Sequence, residues 1–226
     1  MFIGRARELD FLQERYDSER AELVVLYGRR RIGKTELLQQ FARDKAAVFY
    51  ACTECTDQEQ LARFSKRILQ TGLPAARFLT SFSDWETALR SIQDVPSEGK
   101  KLLIIDEFPY MCASRPELPS ILQNLWDHEL SRANVMLILC GSAMSFIENE
   151  LLAERNPLYG RATGIYKLLP LPFVSVRQFF PQYSVEDQVA VYAILGGIPY
   201  YLIQFQSEKS LEENIRTNIL QKGCVL

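Results

Sequence analysis

The chain has 226 residues, 47% of them hydrophobic and 24% charged, with a formal net charge of −2. That is enough for one α/β domain of about 150–170 residues plus a small appendage, and it excludes a disordered polypeptide. The near-neutral balance excludes the strongly basic footprint of a non-specific DNA binder, and no apolar run is long enough for a membrane-spanning helix. The five cysteines, at 52, 55, 112, 140 and 224, are odd in number and scattered. They argue against a disulfide framework and fit a reducing cytoplasm. Charges begin at Arg5, so the start of the chain has no apolar core of signal-peptide kind.

Helix and strand patterns then alternate, the order that gives a parallel sheet with helices on its faces. Leu9, Leu12 and Tyr16 share one stripe of a helix predicted over 5–18. The run Leu23-Val24-Val25-Leu26-Tyr27 is too short for a globular helix and rich in β formers, so it reads as a buried strand. A loop over 28–35 follows, with a helix over 36–43 leading out of it. Residues 46–51 are the second strand, with helices near 57–71 and 84–93 after it. Lys101–Asp106 is the third strand, and 119–131 is a helix with Ile121, Leu122, Leu125 and Trp126 facing inward. Val135–Gly141 and 165–169 complete five strands. Beyond Phe173 the strand signal stops. Val185, Val189 and Tyr192 have helical spacing, as do Leu211, Ile215 and Ile219. A boundary near 170–172 divides a sheet domain, 1–170, from a helical subdomain, 171–226, with little apolar surface for a core of its own.

Gly28-Arg29-Arg30-Arg31-Ile32-Gly33-Lys34-Thr35 matches G-x-x-x-x-G-K-[ST], the Walker A pattern, without a mismatch. Each fixed position has a physical task. Gly28 and Gly33 permit a tight loop whose backbone N–H groups turn toward phosphates. Lys34 places a point charge on the β and γ oxygens, and Thr35 offers its hydroxyl to Mg²⁺. The helix opening there, with Glu36 in its first turn, adds the positive end of its dipole. Residues 28–36 are therefore the expected binding set for ATP or ADP with Mg²⁺. Arg29, Arg30 and Arg31 either raise the positive potential at a triphosphate or point to solvent.

Leu102-Leu103-Ile104-Ile105-Asp106-Glu107 is an apolar strand ending in two acids, as in a Walker B motif. An unpaired buried charge is costly, so adjacent carboxylates at a core strand's end call for a task. Asp106 would hold Mg²⁺ beside Thr35, and Glu107 would polarise the attacking water. A Glu here also favours water over a small-molecule hydroxyl as the acceptor. Ser142, after the strand Leu137-Ile138-Leu139-Cys140-Gly141, can reach the water or the γ-phosphate, or cap the following helix of Met144, Ile147 and Leu151.

Six motifs follow one another in order: Phe2-Ile3-Gly4-Arg5 with Glu8-Leu9; Tyr27 through Leu37; Asp106-Glu107-Phe108-Pro109-Tyr110; Cys140-Gly141-Ser142; Pro157-Leu158-Tyr159-Gly160-Arg161; and Gly196-Gly197-Ile198-Pro199-Tyr200-Tyr201-Leu202. Together they resemble the archaeal-type ATPase family, AAA-like P-loop proteins akin to the signalling STAND NTPases. The resemblance runs from residue 2 to about 220. It implies a parallel sheet of order 5-1-4-3-2 and a C-terminal helical lid over the nucleotide. It also implies that Arg5 lies near the adenine, Pro199 near the base or ribose, and that Arg161 senses the γ-phosphate. On the residues alone, Arg161 is equally a plain surface arginine ahead of a strand. Family members usually continue into a winged-helix segment and often a nuclease-like domain, so the resemblance implies a truncated member. Any nucleic-acid or protein partner would then be met through the missing region, and self-association stays open.

Cys52-Thr53-Glu54-Cys55 is a C-x-x-C without two further ligands for zinc, so core or loop thiols are expected. His128 reads as a surface residue, and Trp85 and Trp126 as packing residues. The sequence thus points to an Mg-dependent ATPase acting as a switch or motor. The rivals are a nucleotide-holding scaffold with little turnover and, more remotely, a P-loop kinase.

Overall fold

Every residue of the runs 22–27 and 135–141 is buried, as continuous apolar segments covered on both faces must be. The computed structural model describes residues 2–224 and Leu226, so the apolar tail 223–226 is described except for Val225, and Met1 also lies outside. The strands are β1 (Glu22–Tyr27), β2 (Ala47–Ala51), β3 (Lys101–Asp106), β4 (Val135–Gly141) and β5 (Gly164–Lys167). They form one parallel sheet in the order β2-β3-β4-β1-β5, the expected order read from the other edge.

Between them run α1 (Ala6–Tyr16), α2 (Lys34–Ala42), α3 (Asp57–Leu69), α4 (Trp85–Arg90), α5 (Phe108–Ser114), α6 (Leu118–His128) and α7 (Met144–Phe146), which continues as a wider turn over Ile147–Leu151. Alternation along β1 sends Leu23, Val25 and Tyr27 into one apolar cluster and Val24 and Leu26 into another. The first holds Phe64, Trp85 and Trp126 from α3, α4 and α6; the second holds Leu12 from α1 and Leu37, Leu38 and Phe41 from α2. Burying each such side chain fully contributes roughly 1.5–3 kcal/mol, so Leu26→Asp would be expected to unfold the sheet.

After Leu171 come α8 (Phe173–Val176), α9 (Val185–Leu195), α10 (Pro199–Leu202) and α11 (Leu211–Ile215). Contrary to the sequence reading, this segment has an apolar cluster of its own, built on Leu171, Val176, Phe180, Val191, Leu195, Leu202 and Phe205. The face of α9 also differs: Val185 and Val189 are more than half exposed, while Gln188, Val191 and Leu195 turn inward. A helix whose apolar residues are spread round its axis does not announce its buried face. The segment folds back on its own start at Gly197, whose carbonyl accepts from Leu171 N–H at 2.7 Å. A side chain at Gly197 would overlap the Leu171 backbone. No helix among the described residues is long and apolar enough to cross a membrane.

Candidate nucleotide site

The carboxyl ends of β1, β4 and β3 lie side by side, because Tyr27 pairs with Gly141 and Ile105 with Leu139. Gly28, Ser142 and Glu107 therefore emerge along one edge, where open parallel sheets bind ligands. Helix α2 starts at Lys34, two residues earlier than the pattern suggested, because Gly33 adopts a left-handed conformation (φ 89°) and turns the loop straight into the helix. No side chain caps this start, so its N–H groups stay available to an anion.

The key side chains converge. Thr35 Oγ1 donates to Asp106 Oδ2 at 2.6 Å, joining the P-loop helix to the end of β3. Asp106 is buried, and its other oxygen accepts from Glu107 N–H at 3.0 Å. Glu107 takes a left-handed conformation (φ 54°) ahead of α5. Its carboxylate accepts from the Ser142 N–H and hydroxyl, both at 3.0 Å. Ser142 thus grips the acid and leaves the next helix uncapped by a side chain. Lys34 is buried and its Nζ donates to the Gly28 and Arg29 carbonyls at 3.0 and 3.2 Å.

A cavity of about 880 Å³ opens over these groups, lined on its floor by Ile32, Gly33, Lys34, Thr35, Glu36 and Glu107. Phe2, Ile3 and Arg5 line it from the N-terminal segment, and Phe179, Pro199, Tyr200 and Ile203 from the C-terminal helices. The Arg5 guanidinium is buried and bonded to the Ile32 and Leu169 carbonyls and Glu8, so it braces the N-terminal segment on the P-loop. Pro199 faces the loop: a methyl group at Gly33 would stand 3.7 Å from its Cγ. The P-loop arginines divide. Arg29 is exposed, Arg30 donates to the Tyr110 hydroxyl at 3.2 Å, and the Arg31 guanidinium lies 4.4 Å from the Tyr200 ring centroid. Tyr110 and Tyr200 stood within the quoted motifs, but nothing in their spacing marked them as site residues.

Arg161 stands elsewhere. Two residues on, Thr163 N–H donates to the Leu23 carbonyl at the foot of β1, five residues before Gly28. At about 3.3 Å per strand residue that is roughly 16 Å from the loop, beyond one side chain's reach. Its guanidinium is held instead by Asp127 at 2.6 and 2.8 Å. Arg161 was expected to sense the γ-phosphate; this placement keeps its side chain from the phosphate site of its own chain, because residue order does not say which end of the sheet it occupies. The thiols also stay apart from chemistry. Burial raises the pKa of Cys52, Cys112 and Cys140, that of Cys112 up to about 12, so they remain protonated.

Residues 2–205 match the model of an ATPase domain predominantly from Archaea. The chain belongs to this family. An uncharacterized protein of Methanocaldococcus jannaschii is 35% identical over 202 residues, 89% of this chain and 43% of that protein. The chain thus spans less than half the length of this curated relative. Among solved structures, a Walker-type ATPase of Pyrococcus abyssi superposes with a TM-score of 0.72 at 20% identity, over 95% of this chain and 71% of that one. A STAND protein with a tetratricopeptide-repeat sensor from Pyrococcus horikoshii gives 0.57 at 20% identity, over 95% and 32%. At such identities the likeness is one of fold.

Proposed function

We propose that this archaeal-type ATPase domain binds Mg·ATP in the 880 Å³ cavity and hydrolyses it, with the C-terminal helices acting as a lid. The observation that carries the reading is the 2.6 Å hydrogen bond from Thr35 to Asp106, which brings a P-loop hydroxyl and a strand-end carboxylate to one point. Two hard oxygens there suit Mg²⁺, which takes few protein ligands and completes its shell with water and phosphate. Thr35 and Asp106 would hold the ion; when bound, it offsets the charge on the phosphate oxygens.

The chain's own groups would do the rest. The uncapped N–H groups at the start of α2 receive phosphate oxygens, and Lys34 turns from the Gly28 and Arg29 carbonyls to the β and γ oxygens. Glu107 keeps one oxygen on Ser142 and uses the other to take a proton as water attacks the γ-phosphorus and the bond to the β-phosphate oxygen breaks. In the longer relatives, a nucleic-acid or protein partner is expected on the part outside the matched region.

The test is phosphate release from Mg·ATP with no second substrate, with Glu107→Gln as control. Release that needs an added acceptor would make the domain a kinase. Bound ADP with negligible turnover would make it a nucleotide-held scaffold.

A further inference from the structure

A cation of the P-loop meets the C-terminal helices. Arg31 sits in the left-handed region (φ 68°), a conformation an arginine adopts only when its surroundings hold it there. Its guanidinium lies 4.4 Å from the centroid of Tyr200 and 5.9 Å from that of Tyr201. The two tyrosines, in α10, divide their tasks. Tyr201 packs against the C-terminal apolar cluster, whereas Tyr200 lines the nucleotide cavity. A guanidinium can lay its face on a ring and still offer N–H groups from its edge to an oxyanion.

Building on the proposed ATP site, we propose that Arg31 bridges the Tyr200 ring and the terminal phosphate of bound ATP, with Tyr200 as the positioning residue. The bridge makes closure of the C-terminal helices depend on the γ-phosphate. ADP lacks the group that the edge of Arg31 would meet, so it gains less from the closed arrangement. A ligand shifts a conformational equilibrium only by its differential affinity for the two states, and this contact supplies such a difference. Tyr200 therefore sets the ATP-over-ADP preference without touching phosphate itself.

The experiment measures the affinities of a non-hydrolysable ATP analogue and of ADP, both with Mg²⁺, for five proteins. These are the wild-type chain, Tyr200→Phe, Tyr200→Leu and Arg31→Asn, with the Tyr200→Leu/Arg31→Asn double variant closing a cycle. Asn tolerates the left-handed backbone, so Arg31→Asn removes the cation without new strain. Tyr200→Phe keeps the ring and should keep the ratio of the two affinities. Tyr200→Leu keeps an apolar side chain and loses the ring face, and should lower the ratio by about 3- to 10-fold, the scale of a partly exposed cation–π contact. The double variant should lose no more than Arg31→Asn alone, since both changes remove one contact. An unchanged ratio in Tyr200→Leu, equal losses in Phe and Leu, or additive losses in the double variant would overturn the bridge. In those cases wild-type binding of Mg·ATP leaves the ATPase reading standing; a wild-type chain that binds neither nucleotide overturns both.

Discussion

The Ser142 N–H and hydroxyl both donate to a single oxygen, Glu107 Oε2, each at 3.0 Å. One end of the acid is thus fixed to the end of β4 while the other oxygen is left for chemistry. Glu107→Gln should therefore retain ATP and slow hydrolysis by about 10²-fold or more, the scale of losing a general base. Ser142→Ala keeps the backbone donor and removes one hydrogen bond to a charged group, so kcat should fall by roughly 10-fold with KM little changed. Steady-state phosphate release measures both. Turnover at the wild-type rate in Glu107→Gln would assign water activation to another group.

Lys34 braces the loop through the Gly28 and Arg29 carbonyls, and the proposed ATP site would draw the same Nζ to the phosphates. Lys34→Ala should lower the affinity for Mg·ATP by at least about 100-fold, the loss of two charge-assisted contacts. At a concentration 100 times the wild-type Kd, the ligand should stabilise the wild-type chain by about 2.7 kcal/mol and the variant by about 0.4 kcal/mol or less. Thermal unfolding with and without Mg·ATP reads this directly, and equal shifts in the two proteins would remove Lys34 from the site.

Asp106 and Thr35 share a proton donor–acceptor pair that one divalent ion can replace. In Asp106→Asn the chain should still bind ATP in the presence of a chelator about as well as wild type does. The gain that Mg²⁺ gives wild type should shrink by about 10-fold or more, since the anionic oxygen is gone. Titration calorimetry with and without Mg²⁺ separates the two parts.

A second carboxylate predicts how stability depends on pH. Glu22 is buried at the foot of β1. Burial raises its pKa, but hydrogen bonds from Thr163, Arg20 and Ser18 outweigh that and leave it below the ordinary value. A carboxyl whose pKa is lowered by folding adds stability above its unfolded value of about 4.3, and that stability is lost as pH falls through the folded value. Between pH 6 and 3 the wild type should lose more unfolding free energy in urea than Glu22→Gln does. At neutral pH the variant should be the weaker by about 1–3 kcal/mol. Parallel pH profiles would remove Glu22 from the acid transition.

The sheet was legible because its strands are short apolar runs, and β1 and β4 could be nothing else once the P-loop fixed their neighbours. The phosphate groups were legible because Gly33, Lys34 and Thr35 owe their places to local backbone geometry. Helix α5 was not: no periodic stripe marks 108–114, and Pro109 is accommodated in the first helical turn, where its missing N–H costs nothing. The buried face of α9 was hidden by its even apolarity, and Gln188, bonded to the Phe180 carbonyl and to Arg177, does there what no hydropathy pattern signals. Tyr200 and Arg31 meet only through tertiary folding.

The same limit governs Arg161. The residue order put it before β5 and left open which end of the sheet it would occupy. The answer is the end away from Gly28, where Asp127 holds its guanidinium through two oxygens and the Pro157 and Tyr159 carbonyls take a further N–H. The pair is partly exposed, so Arg161→Ala should cost only about 1 kcal/mol of stability. In dilute solution the variant should bind ATP and ADP as the wild type does, because its side chain does not reach its own phosphate site. A fluorophore pair on α2 and α11, read with ADP and with a non-hydrolysable ATP analogue, should give the same distances in both proteins. A smaller ATP-dependent change in Arg161→Ala at every protein concentration would contradict this placement. A change that shrinks only as the chains are concentrated would assign Arg161 to the phosphates of a neighbouring copy, and self-association would then be part of the switch.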